Sequence, residues 1–148
     1  MSIHCEITID RPVAEVYDYF ANPDRGVHRS GAGVASIDRL TPGSTAVGST
    51  FRFRMSKGPF RESTSHYTVV DPETELQWDA VMGPMRPKMM LRFEAAGHGT
   101  AVVLTGKPHP VGPAKLLSPL LTRLGVRVWN ERLAHAKAYL EADKEGSR

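Results

Sequence analysis

Histidine is the first side chain to consider when searching this chain for chemistry. Six histidines are present, at positions 4, 28, 66, 98, 109 and 135. No two of them have the one-turn helical spacing or the tight strand spacing of a familiar metal site. We therefore expect no bound metal. His98 stands between two glycines and His135 on the outer side of a predicted helix, so both are interpreted as surface residues.

His66 and Tyr67 are adjacent in a predicted strand, so only one of the two can face the interior. A four-residue turn before this strand would pair His66 with Phe51 and direct it inward. An odd-length connection or a bulge would place Tyr67 there instead. Inside an apolar hollow, either side chain could orient a carbonyl or transfer a proton. A buried tyrosine hydroxyl bonded to the backbone is the structural alternative.

Other catalytic patterns are missing from the sequence. Asp79 and Glu94 fall on outward strand positions, so no pair of carboxylates is expected. There is no Gly-x-Ser-x-Gly elbow, and Cys5 is the only cysteine, which excludes an internal disulfide and a cysteine-built zinc site. Gly106–Pro108 does not complete a phosphate-binding loop, so no nucleotide cofactor is expected.

Composition predicts an ordinary folded domain. The chain has 148 residues, 41% hydrophobic and 24% charged, which suits a single domain over residues 1–148. The net charge is only +3, with no basic block, so no nucleic-acid partner is expected. There is no secretory signal or apolar run long enough for a membrane span, and we expect a cytoplasmic protein. The scattered basic residues of the second half are interpreted as a solvated face: Lys88, Arg92, Lys115, Arg123, Arg127 and Arg132.

The first elements are a strand and a helix. Alternating polarity predicts a strand over Ile3–Ile9. Asp10 is then interpreted as the helix cap, with Pro12 in the first turn and the helix ending near Asn22. One short helical turn is predicted after Pro23, followed by a loop at Ser30–Gly33.

Six further strands follow, separated by Pro- and Gly-containing turns such as Lys57–Pro59. They are predicted at Val34–Leu40, Ala46–Ser56, Arg61–Val70, Glu75–Met82, Lys88–Ala95 and Thr100–Lys107. Successive hairpins of this kind predict an antiparallel meander.

A long helix closes the chain, with Ser118 as its expected cap. Its leucines around Leu116–Leu124 lie on one side, and the apolar residues from Val126 to Leu140 lie on another. Gly125 stands at the change of phase, so we expect a bend or break there.

This order of elements predicts an α+β fold with an interior hollow. A twisted sheet of about seven strands curls, and a helix lying across its concave side leaves space where the two separate. We expect nine inward side chains to line that space and bind a small hydrophobic ligand: Phe51, Phe53, Met55, Tyr67, Trp78, Met89, Leu91, Phe93 and Trp129. Met82, Met85, Met89 and Met90 add adaptable apolar surface. The alternative is that these residues simply fill a core.

Several segments resemble the START-related, or SRPBCC, superfamily with its helix-grip fold. They are Ile7–Asp24, Val70–Trp78, the Gly99-Thr100 turn and the closing helix from Asn130 to Glu141. The resemblance implies a curved antiparallel sheet wrapped around the C-terminal helix, with short helices after the first strand. It also favours Tyr67 over His66 as the inward residue.

The resemblance leaves three functions open. One is a carrier for a lipid, isoprenoid or polyketide-like molecule, which the absence of a catalytic pattern favours. Another is an enzyme similar to polyketide cyclases or dehydratases, in which Tyr67, His66 or Arg54 polarises a carbonyl. The last is a stress-related regulator that binds a partner protein through Leu116–Leu124, a surface that would also serve a homodimer.

Overall fold

A computed structural model describes residues 2–25, 34–56 and 61–146, with side chains described as far as residue 142. Seven strands and two α-helices occur in these ranges. The strands are β1 (Ile3–Ile9), β2 (Val34–Arg39), β3 (Thr50–Met55), β4 (Glu62–Asp71), β5 (Glu75–Val81), β6 (Lys88–Ala96) and β7 (Gly99–Lys107). The helices are α1 (Val13–Ala21) and α2 (Ser118–Gly146), and a 3-10 helix at Gly112–Leu117 leads into α2.

All seven strands form one antiparallel sheet in the order β1-β7-β6-β5-β4-β3-β2. The first strand pairs with the last, and each remaining strand pairs with its neighbour along the chain. Helix α2 packs mainly on β1, and α1 packs on β6 and β7. The predicted helix-grip fold is therefore confirmed, with the long C-terminal helix against the sheet.

Hydrophobic alternation explains which face of the sheet is buried. In β1, Ile3, Cys5 and Ile9 are buried, whereas His4 and Glu6 are exposed. The same period of two continues through β5, where Leu76, Trp78 and Ala80 are buried. One face of the sheet thus supplies the core, and the opposite face is solvated.

The pairing of β3 with β4 decides between His66 and Tyr67. The Met55 amide donates to the Arg61 carbonyl at 2.7 Å, so five residues connect the paired positions. This odd-length connection pairs Phe51 with Ser65 and directs Tyr67 inward. The preference for Tyr67 as the inward residue agrees with this register. A bulge between Tyr67 and Val69 then shifts the inward face, so that Val70 pairs with Leu76.

Three expectations about the helices are wrong. Asp10 does not cap α1, since the cap position is Pro12 and no side chain bonds there. Ser118 is not a cap either, because its backbone is already helical and continues the 3-10 helix. Helix α2 runs through Gly125, so the expected break does not occur. A Cβ atom at Gly125 would lie 2.5 Å from Cδ1 of Ile3, so glycine at this position permits the close approach of α2 to β1.

The observed strand boundaries differ only slightly from the predicted ones, except at β3. This strand begins at Thr50 rather than Ala46, because Ala46–Ser49 forms a turn in which the Ala46 amide donates to Ser49 Oγ at 2.9 Å. The loop predicted at Ser30–Gly33 and the turn predicted at Lys57–Pro59 lie outside the described residues. Of the short helical turn predicted after Pro23, residues 23–25 are described, and they form a turn in which the Arg25 amide donates to the Asn22 carbonyl at 3.2 Å. No helix among the described residues has the length and apolarity required to span a bilayer.

A polar clamp fastens the end of α2 to the start of the chain. Glu141 accepts hydrogen bonds from the Asp10 amide at 3.0 Å and from Lys137 Nζ at 2.7 Å. Lys137 Nζ also donates to the Thr8 carbonyl at 2.8 Å. The backbone hydrogen bond from Asp10, followed by that from Lys137, lowers the pKa of Glu141 below its ordinary value of 4.5.

We predict that Glu141→Gln destabilises the protein by less than about 1 kcal/mol at neutral pH, because the clamp is partly solvated. A carboxylate with a lowered folded-state pKa stabilises the fold above its unfolded-state pKa, and this contribution disappears as the pH falls through the folded-state pKa. Urea unfolding at pH 7 and pH 3 should therefore show the difference between wild type and variant shrinking at the lower pH. A constant difference would contradict this assignment.

Candidate functional site

An interior cavity of about 380 Å³ lies where α2 and the sheet separate. Its walls come from β1, strands β3 to β6, the end of α1, the segments after β5 and β7, and the first half of α2. The lining residues are Ile3, Tyr19, Phe20, Asn22, Pro23, Phe53, Met55, Ser63, Ser65, Tyr67, Trp78, Ala80, Met82, Met85, Pro87, Met89, Leu91, Pro108, Leu121, Leu124, Gly125, Val128, Trp129 and Arg132. Apolar side chains dominate this set, as is usual for small-molecule sites.

The structure places seven of the nine predicted ligand-binding residues on the cavity wall: Phe53, Met55, Tyr67, Trp78, Met89, Leu91 and Trp129. Phe51 and Phe93 do not line it. Phe51 is fully buried behind Tyr67, with ring centroids 5.3 Å apart, and Phe93 packs its ring against Tyr17 and Phe20. Both are core residues, since each is buried and packed against neighbouring side chains without lining the cavity. Met82 and Met85 line the cavity, but Met90 does not.

A row of aromatic rings crosses the cavity wall from the sheet to the helix. The ring of Tyr67 lies 6.0 Å from that of Trp78, and Trp78 lies 5.8 Å from Trp129 of α2. Tilted rings at these centroid distances interact favourably. The row therefore connects α2 to the sheet through side-chain contacts across the cavity.

Tyr67 is the hydroxyl-bearing residue that the sequence placed inward. Its Oη donates to the Phe20 carbonyl at 3.3 Å, at the end of α1. Burial raises the pKa of Tyr67, with the nearby Tyr17 adding to the effect. The phenol is therefore protonated at neutral pH and can act as a hydrogen-bond donor but not as a base.

His66 and Arg54, the other two catalytic candidates, do not reach the cavity. Both are exposed, because alternation along β3 and β4 puts them on the outer face of the sheet. His66 Nδ1 is hydrogen-bonded to Thr50 Oγ1 at 3.0 Å. The proposal that either residue polarises a carbonyl in the hollow is therefore wrong on geometry.

Arg132 was assigned to a solvated face, and this assignment is wrong. Its guanidinium carbon lies 5.1 Å from the ring centroid of Trp129 and 5.7 Å from that of Phe53, both on the cavity wall. Burial lowers the pKa of Arg132, and nearby Tyr19 acts in the opposite direction. The helical spacing indicates the correct position of Arg132. This residue follows Trp129 by three residues and precedes Ala136 by four, so it lies on the buried stripe of the helix.

Ser65 is a buried polar residue on the same wall. Four polar residues are buried in the described ranges, namely Ser49, Ser65, Thr100 and Thr122. The hydroxyl oxygens of the other three are hydrogen-bonded to backbone groups at 2.9 Å. Ser65 Oγ has no hydrogen bond to another described residue. Because Ser65 lines the cavity, its hydroxyl group is available to hydrogen-bond a guest there.

The outer face of the sheet carries a larger but open depression of about 570 Å³. Its lining mixes polar side chains, including Gln77, Asp79, Lys88 and Lys107, with the apolar side chains of Trp78, Met89 and Met90. The interior cavity is the better candidate because its wall is more strongly apolar and more recessed. Across the described parts of the chain, no three His, Cys, Asp or Glu side chains converge on a common point.

The leucines at the start of α2 remain largely exposed. Leu121 is buried, whereas Leu116, Leu117, Leu120 and Leu124 are exposed by 46% or more. Leu124 also lines the cavity, so this part of α2 forms its rim. The hypothesis of a partner or a second copy on this surface thus stays a prediction, and light scattering tests the dimer.

A seven-stranded antiparallel sheet, a long C-terminal helix and an apolar cavity between them define a helix-grip protein. The chain belongs to the family described as polyketide cyclase / dehydrase and lipid transport, whose family model matches residues 1–141. That description covers both carriers and enzymes. No curated protein matches this sequence significantly.

Solved structures agree on the fold. The protein TTHA0849 from Thermus thermophilus is 19% identical, with a TM-score of 0.76 over 97% of this chain and 99% of that one. Ara h 8.0201 is 15% identical, with a TM-score of 0.76 over 96% and 98% of the two chains. The di-domain ARO/CYC protein BexL is 18% identical, with a TM-score of 0.77 over 95% of this chain and 46% of that one. At these identities the likeness concerns the fold alone.

Proposed function

We propose that this protein binds a small hydrophobic or aromatic molecule, such as a lipid, an isoprenoid or a polyketide-like compound, between α2 and the sheet. The observation that carries the proposal is the cavity of about 380 Å³ with a wall of aromatic, methionine and aliphatic side chains. A tightly packed core would leave no such volume. The family description, which includes lipid transport, supports the same function.

The size and chemistry of the cavity limit the class of ligand. Its volume lies at the lower end of the range for small-molecule sites. The aromatic row from Tyr67 to Trp129 offers ring faces and edges along one wall. A compact molecule with a flat apolar body therefore fits better than a long, highly polar one.

Binding can be tested with a neutral fluorescent probe, N-phenyl-1-naphthylamine, together with native mass spectrometry of the purified protein. We expect saturable binding of one probe per chain and, for protein isolated from cells, a retained small molecule that the probe displaces. Absence of saturable binding by the probe and by a broad panel of hydrophobic compounds would refute the proposal.

The second candidate function is a cyclase- or dehydratase-like reaction, favoured by the Tyr67 hydroxyl on the cavity wall. Because burial keeps this phenol protonated, it could donate a hydrogen bond to a substrate carbonyl and polarise it. No base that would complete the reaction adjoins it among the described lining residues, which is why binding without turnover is our first proposal.

We predict that Tyr67→Phe retains the affinity for N-phenyl-1-naphthylamine within about threefold, because the change removes one long hydrogen bond and keeps the ring. Fluorescence titration measures this affinity, with His66→Gln on the outer face as the matched control. Chromatography of a reactive poly-β-ketone incubated with each protein tests the second function. A product formed by the wild type and the control but not by Tyr67→Phe would establish the enzyme instead of the carrier.

A further inference from the structure

Arg132 is the only charged side chain among the described residues that line the cavity. No acidic side chain occurs in that lining, and no ion pair or hydrogen bond joins the Arg132 side chain to another described residue. Its guanidinium instead contacts the rings of Trp129 and Phe53. Among the described lining residues, the positive charge of Arg132 is therefore uncompensated.

An uncompensated guanidinium in an apolar hollow is unusual, because buried charges are normally paired. Contact with two aromatic faces offsets part of the cost of removing the group from water. It leaves the five N–H donors of this half-buried guanidinium without an acceptor among the described residues, and their planar fork suits two oxygens of a carboxylate.

The nearby wall of β4 adds neutral donors. Ser63 pairs with Phe53, whose ring lies under Arg132, and Ser65 is the next inward residue of the same strand. Ser65 Oγ is the buried hydroxyl that has no partner among the described residues. This part of the wall thus places hydroxyl groups near the Arg132 cation, in a lining that is otherwise mostly apolar.

Taking the proposed function as given, we propose that the ligand is an amphiphilic monoanion whose carboxylate, or a similar singly charged group, is held by Arg132 while its apolar body fills the rest of the cavity. A single negative charge balances the single positive charge. A dianion would leave excess charge in an apolar space, and a cation would be repelled.

Two probes with the same aromatic body test this proposal. They are 8-anilino-1-naphthalenesulfonate, a monoanion, and N-phenyl-1-naphthylamine, which lacks the sulfonate. We expect Arg132→Met to weaken binding of the anionic probe by about tenfold or more and to leave binding of the neutral probe within about twofold, as expected for a lost hydrogen bond to a charged group. Arg132→Lys, which keeps the charge but not the fork, should lose less.

The matched control is Arg127→Met on the same helix. Arg127 is 78% exposed and pairs with Glu131, so this change removes the same charge from the protein but not from the cavity. Both probes should bind the control as they bind the wild type. Equal loss of both probes by Arg132→Met, or no loss of either, would show that Arg132 only packs on the rings and would overturn the proposal.

A second measurement needs no variant and covers the case in which Arg132→Met does not fold. Dodecanoate and dodecanamide have the same shape and differ in charge, and each is titrated against the wild-type complex with the neutral probe. We expect dodecanoate to displace the probe at about tenfold lower concentration, as for a hydrogen bond to a charged group, and equal or weaker displacement would overturn the proposal. Failure of both the neutral probe and the panel of hydrophobic compounds to bind would instead refute the proposed function itself.

Discussion

Replacing Ala80 by phenylalanine should abolish ligand binding and leave the fold intact. Ala80 is buried on β5, pairs with Ser65 and lines the cavity, so the new ring enters the space that a guest would occupy. A ligand would have to displace this ring, which we expect to cost at least about 3 kcal/mol of binding free energy, or about 100-fold in affinity. Because the ring enters empty volume, the penalty to folding should be at the low end of about 1–3 kcal/mol for overpacking.

The neighbouring residue supplies the control. Val81 lies on the outer face of the same strand and is 51% exposed, so Val81→Phe adds an identical ring outside the cavity. Titration with N-phenyl-1-naphthylamine should show that Val81→Phe binds the probe with normal affinity. Ala80→Phe should show no measurable binding. Normal binding by a folded Ala80→Phe would mean that the ligand site lies elsewhere.

Phe51→Ala should have the largest effect on stability. Phe51 is fully buried, its ring packs against Tyr67, and the Arg39 guanidinium carbon lies 4.7 Å from its ring centroid. Truncating a buried phenylalanine costs about 3–5 kcal/mol. Since domains are stable by only about 5–15 kcal/mol, this change removes a large share of the free energy of unfolding.

Phe53→Ala is the matched comparison, because Phe53 is two residues along the same strand and faces the same way. Phe53 is half-buried and its ring already borders open space, so fewer contacts are lost. We expect it to cost less than half as much stability and to weaken ligand binding, since it forms the wall. Urea unfolding followed by circular dichroism gives both values, and equal costs would contradict the division between core and cavity wall.

Much of the fold could be predicted because alternation of polarity is a local signal. The bounds predicted for β1 match those of the structure, and the inward faces of β5 and β6 follow from their own residues. Register is different, since it depends on the length of connections. The five residues between Met55 and Arg61, together with the bulge after Tyr67, determine which face each side chain of β4 occupies.

The candidate site was predictable in its apolar part and not in its polar part. Trp78, Met89 and Trp129 face inward by the same periodicity that builds the elements. Arg132 was misassigned because charged residues are almost always solvated, and only the helical phase relative to Trp129 argued otherwise. Phe51 is predicted to line the cavity but lies in the core. Residue type alone does not distinguish a core position from a position on a cavity wall.

The aromatic row has an optical consequence. Trp78 and Trp129 are the only two tryptophans of the chain, and both border the cavity with their rings 5.8 Å apart. Any guest that enters will alter the surroundings of every indole in the protein at the same time. The intrinsic emission of the unlabelled molecule is therefore a direct reporter of occupancy, free of background from tryptophan elsewhere in the chain.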